Sequence, residues 1–319
     1  MRQLLEKVNI DNLIWQKPLA SQVISDDSDL VQDLTLTACQ SFMKLAQRMQ
    51  ATLPPTIQEK CKTFIKDFRI ENIDEFPQKL SHTGTWKERK EDLLQVTEEI
   101  LDTLSNIWKN PAFEPQNAKS QSEGTYITDV IVPVIRSALK KLPIGKSAFI
   151  STAERQSIAS ADRRGKQGKQ PDVMYIIERK EKLYELIFTE SSRLICIDSK
   201  EENDKIKLWR KMNDGMAYVH KGCRPDKDEF GILGIQVAGE MMHLSVLIKD
   251  IDDVQHLYHL QSIIIPVQPT DAEILTHFVE ALLVLRNVTI VNNSLLFHAS
   301  RSKSNRLRRK SSTVSSDKE

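Results

Sequence analysis

The sequence predicts an α-helical N-terminal region followed by a mixed α/β (α+β) domain, in which helices flank a mixed β-sheet. Apolar residues recur at helical spacing within the first 110 residues, with charged residues between them. From residue 123 onward, short apolar runs bounded by turns alternate with helical segments. The chain has 319 residues, of which 40% are hydrophobic and 28% charged, so it is long enough for a substantial core.

The N-terminal region is predicted to be helical through residues 1–110. Capping residues start its first helix and a Pro-Pro pair stops it, so the expected helices are 27–53, 56–68 and 85–110. These helices offer a docking surface through which a protein partner could bind.

Polar segments follow both the helical region and the α/β domain. Residues 111–122 contain Pro111 and Pro115 and are predicted to be a linker. Residues 300–319 are predicted to be a disordered basic tail. The run RLRRK in this tail suits a nuclear-import signal or a phosphate contact, or it does no more than keep the tail soluble.

The α/β domain is expected to cover residues 123–299. Its helices are predicted at 125–142, where Pro133 causes a kink or marks the true start, at 201–220, and from a capping box at Thr270 onward. Its strands are predicted at 147–152, 172–178, 184–190, 230–239, 242–251 and 257–267. The glycines at 231, 234 and 239 fit a strand bend or bulge better than a phosphate-binding loop, because no Lys-Ser/Thr pair follows them.

Composition and spacing argue against several classes of protein. The N-terminus lacks the apolar run of a signal peptide. The most apolar helix contains His277, Glu280 and Arg286, which indicates a core helix and no membrane association. The four cysteines form no C-x-x-C pair, so reduced thiols in the nucleus or cytoplasm are expected.

Histidine and serine patterns give weak signals. His256 and His259 would lie on opposite faces of a strand, which argues against a shared metal ion. No serine has His and Asp partners at a recognisable spacing.

Two acidic residues in one predicted hairpin give the sharpest functional signal. If the hairpin of residues 168–193 is symmetric about Glu181, Asp172 pairs with Glu190, Met174 with Phe188 and Ile176 with Leu186. Directly opposed residues share a face, so Asp172, Glu190 and Ser192 would face the same side. Neighbouring carboxylates repel unless a proton or cation lies between them, and Mg²⁺ suits such a pair. The alternative is that both acids are ordinary strand-end residues facing water.

Pro171-Asp172, two strands and Glu190, within a helix-strand-strand-strand-helix-strand order, resemble the PD-(D/E)XK nuclease superfamily. The resemblance covers roughly residues 123–250. It implies that Asp172 and Glu190 hold the metal ion and that Glu123, on the first core helix, completes the site. Segments such as SEGTYITDVIVP and FGILGIQVAG also resemble a lineage-expanded group of uncharacterised proteins of early-diverging fungi.

The superfamily pattern has a lysine two residues after the glutamate, where this chain has Ser192. Some members of the superfamily carry this lysine on the following helix. Lys205 and Lys207 are then the candidates, with Lys207 preferred, and Lys200 or Arg193 is less well placed.

A basic loop precedes the hairpin and contains glycines that favour mobility. It is a candidate for tracking a nucleic-acid backbone, or it is only solvated, and its basic residues are Arg155, Arg163, Arg164, Lys166 and Lys169.

Three functions follow from these patterns. The first is Mg²⁺-dependent hydrolysis of DNA or RNA by a nuclease-like domain with a relocated lysine. The second is a catalytically inactive nuclease fold that binds nucleic acid or a protein. The third is a protein-interaction function of the N-terminal helices.

Overall fold

A computed structural model describes residues 28–49, 53–67, 78–143, 148–152, 155–165, 167–194 and 198–301. The chain divides into two compact units, Met1–Ile70 and Glu71–Glu319. The predicted helix at 85–110 belongs to the second unit, so the division lies near residue 70 and not at the predicted linker 111–122. That linker contains the short 3-10 helices Pro111–Phe113 and Ala118–Ser120, and Phe113 is buried.

The first unit is helical in its described part, as predicted. Its helices are α1 (Asp29–Gln32), α2 (Leu36–Met49) and α3 (Pro55–Asp67). The single helix expected at 27–53 is therefore interrupted between α1 and α2. Helix α3 begins at a proline, which the first helical turn accommodates because its N–H groups have no intrahelical partner.

The second unit is a mixed α/β domain. Its helices are α4 (Lys90–Trp108), α5 (Glu123–Tyr126), α6 (Val132–Leu139), α7 (Ile158–Arg164), α8 (Asp198–Gly222) and α9 (Ala272–His298). Its strands are β1 (Ala148–Thr152), β2 (Val173–Arg179), β3 (Lys182–Ser191), β4 (Cys223–Arg224), β5 (Gly231–Ala238), β6 (Met241–Lys249), β7 (Gln255–Ile264) and β8 (Ser300–Arg301).

Six of the strands form one mixed sheet in the order β1-β2-β3-β5-β6-β7. Neighbouring strands are antiparallel except β3 and β5, which are parallel and are connected by a crossover that contains α8. The short strands β4 and β8 pair with each other, so the first two residues of the predicted tail, Ser300 and Arg301, form a strand. Residues 302–319 of the predicted tail lie outside the described residues.

Helices cover both faces of the sheet. Gly215 of α8 lies directly over Phe188, so that an added methyl group would approach the ring at 2.8 Å. Asn293 of α9 donates to the Tyr175 hydroxyl at 3.0 Å. Met174 pairs with Phe188 and neighbours Tyr175, so α8 and α9 lie on opposite faces of the sheet.

Helix α9 fills the core beneath the sheet. Among the described residues it is the one helix long and apolar enough to cross a membrane by length and composition, which is weak evidence because core helices share these properties. Its residues Phe278, Leu282 and Ile290 are buried in the main core. The helix is capped by Asp271, which accepts a hydrogen bond from the Ile274 amide at 2.9 Å, and not by the predicted Thr270.

The predicted irregularity at Pro133 has a specific form. The helical run that starts at Glu123 widens into a π-helical turn, Ile127–Ile131, just before α6. Proline has no amide hydrogen for the carbonyl four residues earlier, so the turn before it is a favourable place for such widening.

The three glycines of the β5 region lie in the strand and its turn and not in a phosphate-binding loop, as predicted, but β5 pairs with β3 and β6 without the expected bulge. Gly231 and Gly234 lie in β5, and Gly239 follows the strand with a φ of +62°. A side chain at Gly234 would overlap the sulfur of Met212 on α8, so glycine allows the helix to approach the sheet.

Candidate functional site

The hairpin of β2 and β3 positions the two acids. Its turn is Lys180–Glu181, with φ values of +51° and +60°, as in a tight hairpin turn. Met174 pairs with Phe188, as predicted. A register shift after Tyr175 makes Ile176 pair with Glu185 instead of the predicted Leu186.

Asp172 lies one residue before β2 and is fixed against the end of β3. Its amide donates to the Thr189 carbonyl at 3.2 Å, and its Oδ2 accepts from the Ser191 amide at 2.7 Å. Glu190 is 6% exposed and lies at the end of β3. The hairpin therefore brings both predicted carboxylates to the end of the two strands that lies opposite the turn.

A cleft of about 560 Å³ opens at this end of the hairpin. It lies between the hairpin, the start of α5 and the first half of α8. Its lining is strongly polar and comprises Glu123, Gln167, Gly168, Lys169, Gln170, Asp172, Glu190, Ser191, Lys200, Asp204, Lys207 and Lys211.

Lys211 is the central residue that the sequence analysis missed. It is 2% exposed, and its Nζ contacts Glu190 Oε1 and donates to the Gln170 carbonyl at 3.2 Å. The spacing of Asp204, Lys207 and Lys211 already indicated one shared face of α8, because residues three, four and seven apart align on a helix. This helical spacing is therefore the feature of the sequence that makes Lys211, as well as Lys207, a candidate for the relocated lysine.

The other predicted basic and acidic residues of the cleft form pairs around this centre. Lys207 Nζ donates to Asp204 Oδ1 at 2.7 Å, and this hydrogen bond raises the pKa of Lys207. Glu123, at the start of α5, forms an ion pair with Lys200. Both predicted residues therefore line the cleft, but each is joined to a partner other than the central acids.

Ser192 takes no part in the cleft lining. Its hydroxyl donates toward the Val237 carbonyl at 3.2 Å and accepts from the Gly239 amide at 3.2 Å. The residue at the expected lysine position is thus used to tie the end of β3 to the β5–β6 turn.

Burial controls the protonation of the central acids. Desolvation raises the pKa of Glu190 to about 7, and the nearby Lys211 charge only partly opposes this shift. Desolvation also raises the pKa of Asp172, against the opposing hydrogen bond from Ser191. The cleft therefore contains two buried carboxyl groups, Asp172 and Glu190, and the single charge of Lys211 does not compensate for the burial of both.

The predicted basic loop is partly helical. Arg163 and Arg164 end α7, and Gly165 terminates the helix with a φ of +62°. Arg163 forms an ion pair with Asp214 at 2.5 Å, and the Arg155 guanidinium lies 5.3 Å from the centre of the Phe149 ring.

Of the remaining loop residues, Lys166 lies outside the described residues, and Lys169 lines the cleft. Burial and nearby positive charges lower the pKa of Lys169. Among the described residues predicted to contact nucleic acid, Lys169 is therefore the one that lines the same cleft as the carboxylates.

Glu185 explains why the segment that contains α7 and Lys169 folds against the cleft. It is 1% exposed and accepts from the Ser157 hydroxyl at 2.6 Å and from the Ile158 amide at 2.7 Å, at the start of α7. The Ser157 amide in turn donates to the Lys169 carbonyl at 2.8 Å. A buried carboxylate on β3 thus fixes the backbone that carries Lys169.

The suitability of the cleft for a metal ion depends on its oxygen donors. Among the described residues, no group of three or more His, Cys, Asp or Glu side chains is arranged to hold a metal ion. The donor chemistry nevertheless fits Mg²⁺, which is often bound through one or two carboxylates with water as the remaining ligands. Asp172 and Glu190 supply such a pair, and Asp204 Oδ2 is buried without a hydrogen-bond partner among the described residues.

Comparisons with known proteins add no assignment to this geometry. No protein-family model matches the sequence, and neither the curated proteins nor the solved structures contain a significant match.

Proposed function

We propose that the second unit is a PD-(D/E)XK-like nuclease domain with a relocated lysine, and that it hydrolyses phosphodiester bonds in DNA or RNA in the nucleus or cytoplasm. The order of elements supports this proposal. A helical segment is followed by three antiparallel strands, with the short helix α7 between the first two, and a crossover helix then leads to a fourth strand parallel to the third. Apart from α7, the superfamily core has the same order.

The observation that carries the proposal is the contact between Lys211 and Glu190 in the cleft that Asp172 also lines. In the superfamily pattern a lysine stands beside the metal-binding acids. Here an ammonium group reaches the same neighbourhood from α8, three to four turns into the helix, while Ser192 is engaged elsewhere. We therefore assign the relocated lysine to Lys211 in place of Lys207.

The residues of the cleft divide the work of hydrolysis. Asp172 and Glu190 would hold Mg²⁺, with Glu123 nearby. The bound ion would supply Lewis-acid charge and a more acidic water. Lys211 would hold the Glu190 carboxylate in place and offer its one remaining N–H donor to a phosphate oxygen or to the attacking water.

Three further lysines would bind the nucleic-acid backbone. Lys169, Lys200 and Lys207 line the same cleft as the acids. Contacts of this kind to phosphates are independent of base sequence and weaken as the salt concentration rises.

A nuclease assay with Mg²⁺ or Mn²⁺ on single-stranded DNA, duplex DNA and RNA tests the proposal. Asp172→Asn and Lys211→Met should each lower the cleavage rate by about 100-fold or more, as expected for loss of a group that stabilises developing charge. Lys221→Met is the matched control, because it removes a lysine from the same helix at an exposed ion pair with Asp162, and it should stay within about twofold of wild type.

Equal rates for wild type and both cleft variants, including equal absence of cleavage, would refute the proposed hydrolysis. Circular dichroism of each variant verifies that the fold is retained.

A second candidate is an inactive nuclease-like domain that binds nucleic acid. The observation favouring it is that both acids already have protein partners, with Glu190 bound by Lys211 and Asp172 by Ser191. Binding without cleavage would then depend on salt, and removal of Lys200 or Lys207 should make the dependence less steep.

A further inference from the structure

We infer that a second pocket, on the other flank of α8, accepts one unpaired nucleobase, so that the substrate is single-stranded nucleic acid. The identity of this substrate rests on the proposed function. The pocket itself is separate from the cleft, because none of its lining residues is shared with it.

The pocket has a volume of about 270 Å³ and lies between α8 and strands β5, β6 and β7. Helix α8 covers β3 and β5 more fully than β6. On the face of the sheet that carries α8, the strands farther from β3 are therefore less covered. The lining comprises Glu201, Lys205, Leu208, Trp209, Met212, Gln236, His243, Ser245, Leu257 and His259.

Its apolar surfaces suit a flat ring. Trp209 is 37% exposed, and the guanidinium of Arg210 lies 5.5 Å from the centre of its indole. Leu257 is 46% exposed on the opposite element, whereas Leu208 and Met212 are buried. An exposed indole beside an apolar floor offers a stacking surface of the kind that binds bases of single strands.

Its polar groups suit the edge of a base. Ser262 Oγ forms hydrogen bonds with His243 Nδ1 at 2.7 Å and with His259 Nε2 at 3.0 Å. These bonds use one nitrogen of each imidazole. His259 Nδ1 is left for a ligand, whereas His243 Nε2 lies 4.0 Å from Glu201 Oε1, within reach of an ion pair. Imidazole nitrogens can donate or accept, so the pocket can match the in-plane donors and acceptors of a nucleobase.

A bulge creates this polar cluster. His259 and Ser262 are three residues apart and would lie on opposite faces of a regular strand. The register between β6 and β7 shifts after Leu244, so that His243 pairs with Ser262 and Ser245 pairs with His259. The shift brings both β7 residues to the α8 face, which fits the role of bulges in re-aiming side chains.

A row of paired residues connects the pocket to the cleft. Glu190 pairs with Gln236, Gln236 with His243, and His243 with Ser262 across four neighbouring strands. Strands are about 4.8 Å apart, so His243 lies roughly 10 Å from Glu190 along the sheet. Gln236, between them, donates to the Glu201 carbonyl of α8 at 2.7 Å, so a strand with one phosphate in the cleft would cross α8 to place a base in the pocket, whereas a duplex would first have to release that base.

Binding of labelled oligonucleotides to the full chain, measured by fluorescence anisotropy in EDTA to prevent cleavage, tests the inference. Trp209→Ala should weaken binding of a single strand about tenfold or more, and Trp209→Phe, which keeps a flat ring, should retain most of the affinity. Trp86→Ala is the matched control, since Trp86 is 45% exposed and does not line the pocket. Wild type should bind the single strand more tightly than a duplex of the same length.

An abasic oligonucleotide completes the test. It should bind wild type and Trp209→Ala equally and weakly, because it has no base to stack. Equal binding of a normal single strand to Trp209→Ala and Trp86→Ala, or equal binding of normal and abasic strands to wild type, would overturn the inference.

The two proposals fail separately. If wild type cleaves nothing but Trp209→Ala still weakens single-strand binding, the hydrolysis is refuted and the pocket stands. If wild type cleaves and Trp209→Ala binds as wild type does, the pocket is refuted and the hydrolysis stands.

Discussion

Two buried ion pairs, both in the second unit, show how differently a buried charge can be accommodated. Arg286 on α9 is 2% exposed and donates to both oxygens of Glu88, at 2.6 and 2.7 Å. It also donates to the carbonyls of Ala138, Lys140 and Lys141, at 2.9, 2.7 and 3.3 Å. Its guanidinium donors are thus used up by the end of α6 and by one carboxylate.

The pair of Lys211 and Glu190, centred on α8, is also buried but is not saturated. Lys211 has Glu190 and one carbonyl as partners, and the surrounding cleft contains Asp172 and an unpartnered oxygen of Asp204. Burial raises the pKa of both Glu190 and Asp172. A saturated buried charge fixes the fold, whereas unsatisfied charges beside an open cleft are typical of a binding site.

Removal of each cation should separate these roles most clearly. Arg286→Met leaves Glu88 and three carbonyls without donors and should lower the free energy of unfolding by about 3–5 kcal/mol. Lys211→Met should cost less at pH 6, because the raised pKa of Glu190 leaves its carboxyl largely protonated there, with little charge for Lys211 to balance. Urea unfolding at pH 6 measures both values. An equal or larger loss for Lys211→Met would contradict the comparison.

The pH dependence of the free energy of unfolding should identify Glu190 as the member of the pair whose charged form is disfavoured by burial. Burial raises the pKa of Glu190 from its usual 4.5 to about 7, so the stability that this group contributes at low pH is lost as pH rises between these two values. Glu190→Gln lacks this loss, and its stability relative to wild type should improve by roughly 3 kcal/mol from pH 4 to pH 8.

Glu178→Gln, at an exposed position of the same hairpin, is the control for the pH experiment. A relative stability of Glu190→Gln that is the same at both pH values would rule out the raised pKa.

Addition of a divalent cation should stabilise the cleft and leave the Arg286 pair unaffected. At ten times its dissociation constant, Mg²⁺ should add about 1.4 kcal/mol to the free energy of unfolding of wild type at pH 8. Asp172→Asn should reduce this gain, and thermal unfolding with and without Mg²⁺ measures it. An undiminished gain in Asp172→Asn would place the ion elsewhere.

The smallest expected effect concerns the unpartnered oxygen of Asp204. Asp204→Asn replaces a buried anion by an amide of the same size and weakens the ion pair with Lys207, which is half exposed. We expect a change of less than about 1 kcal/mol in the free energy of unfolding, as for other partly exposed pairs. A loss above 2 kcal/mol in urea unfolding would mean that the Asp204 charge is structural.

The sequence alone determined the elements and the place of the acids. Apolar spacing predicted α4, α8 and most strands of the sheet, because periodicity depends only on which residues face the core. The predicted turn near Glu181 brings Asp172 and Glu190 to one end of a hairpin, but their register also depends on the shift between Tyr175 and Ile176, because the turn alone would oppose Asp172 to Thr189. These are local rules, and the shift between Tyr175 and Ile176 shows that even within one hairpin they do not fix every pair.

Tertiary structure decided which cation meets Glu190. Whether Lys207 or Lys211 contacts Glu190 depends on the orientation of α8 about its own axis and on its distance from the sheet. The close contacts of Gly215 with Phe188 and of Gly234 with Met212 determine both. The register shift at Leu244 and the burial of Glu185 under α7 were likewise hidden in the sequence, since each results from contacts between distant segments. The sequence placed the carboxylates, but the packing of a helix on the sheet selected their partner.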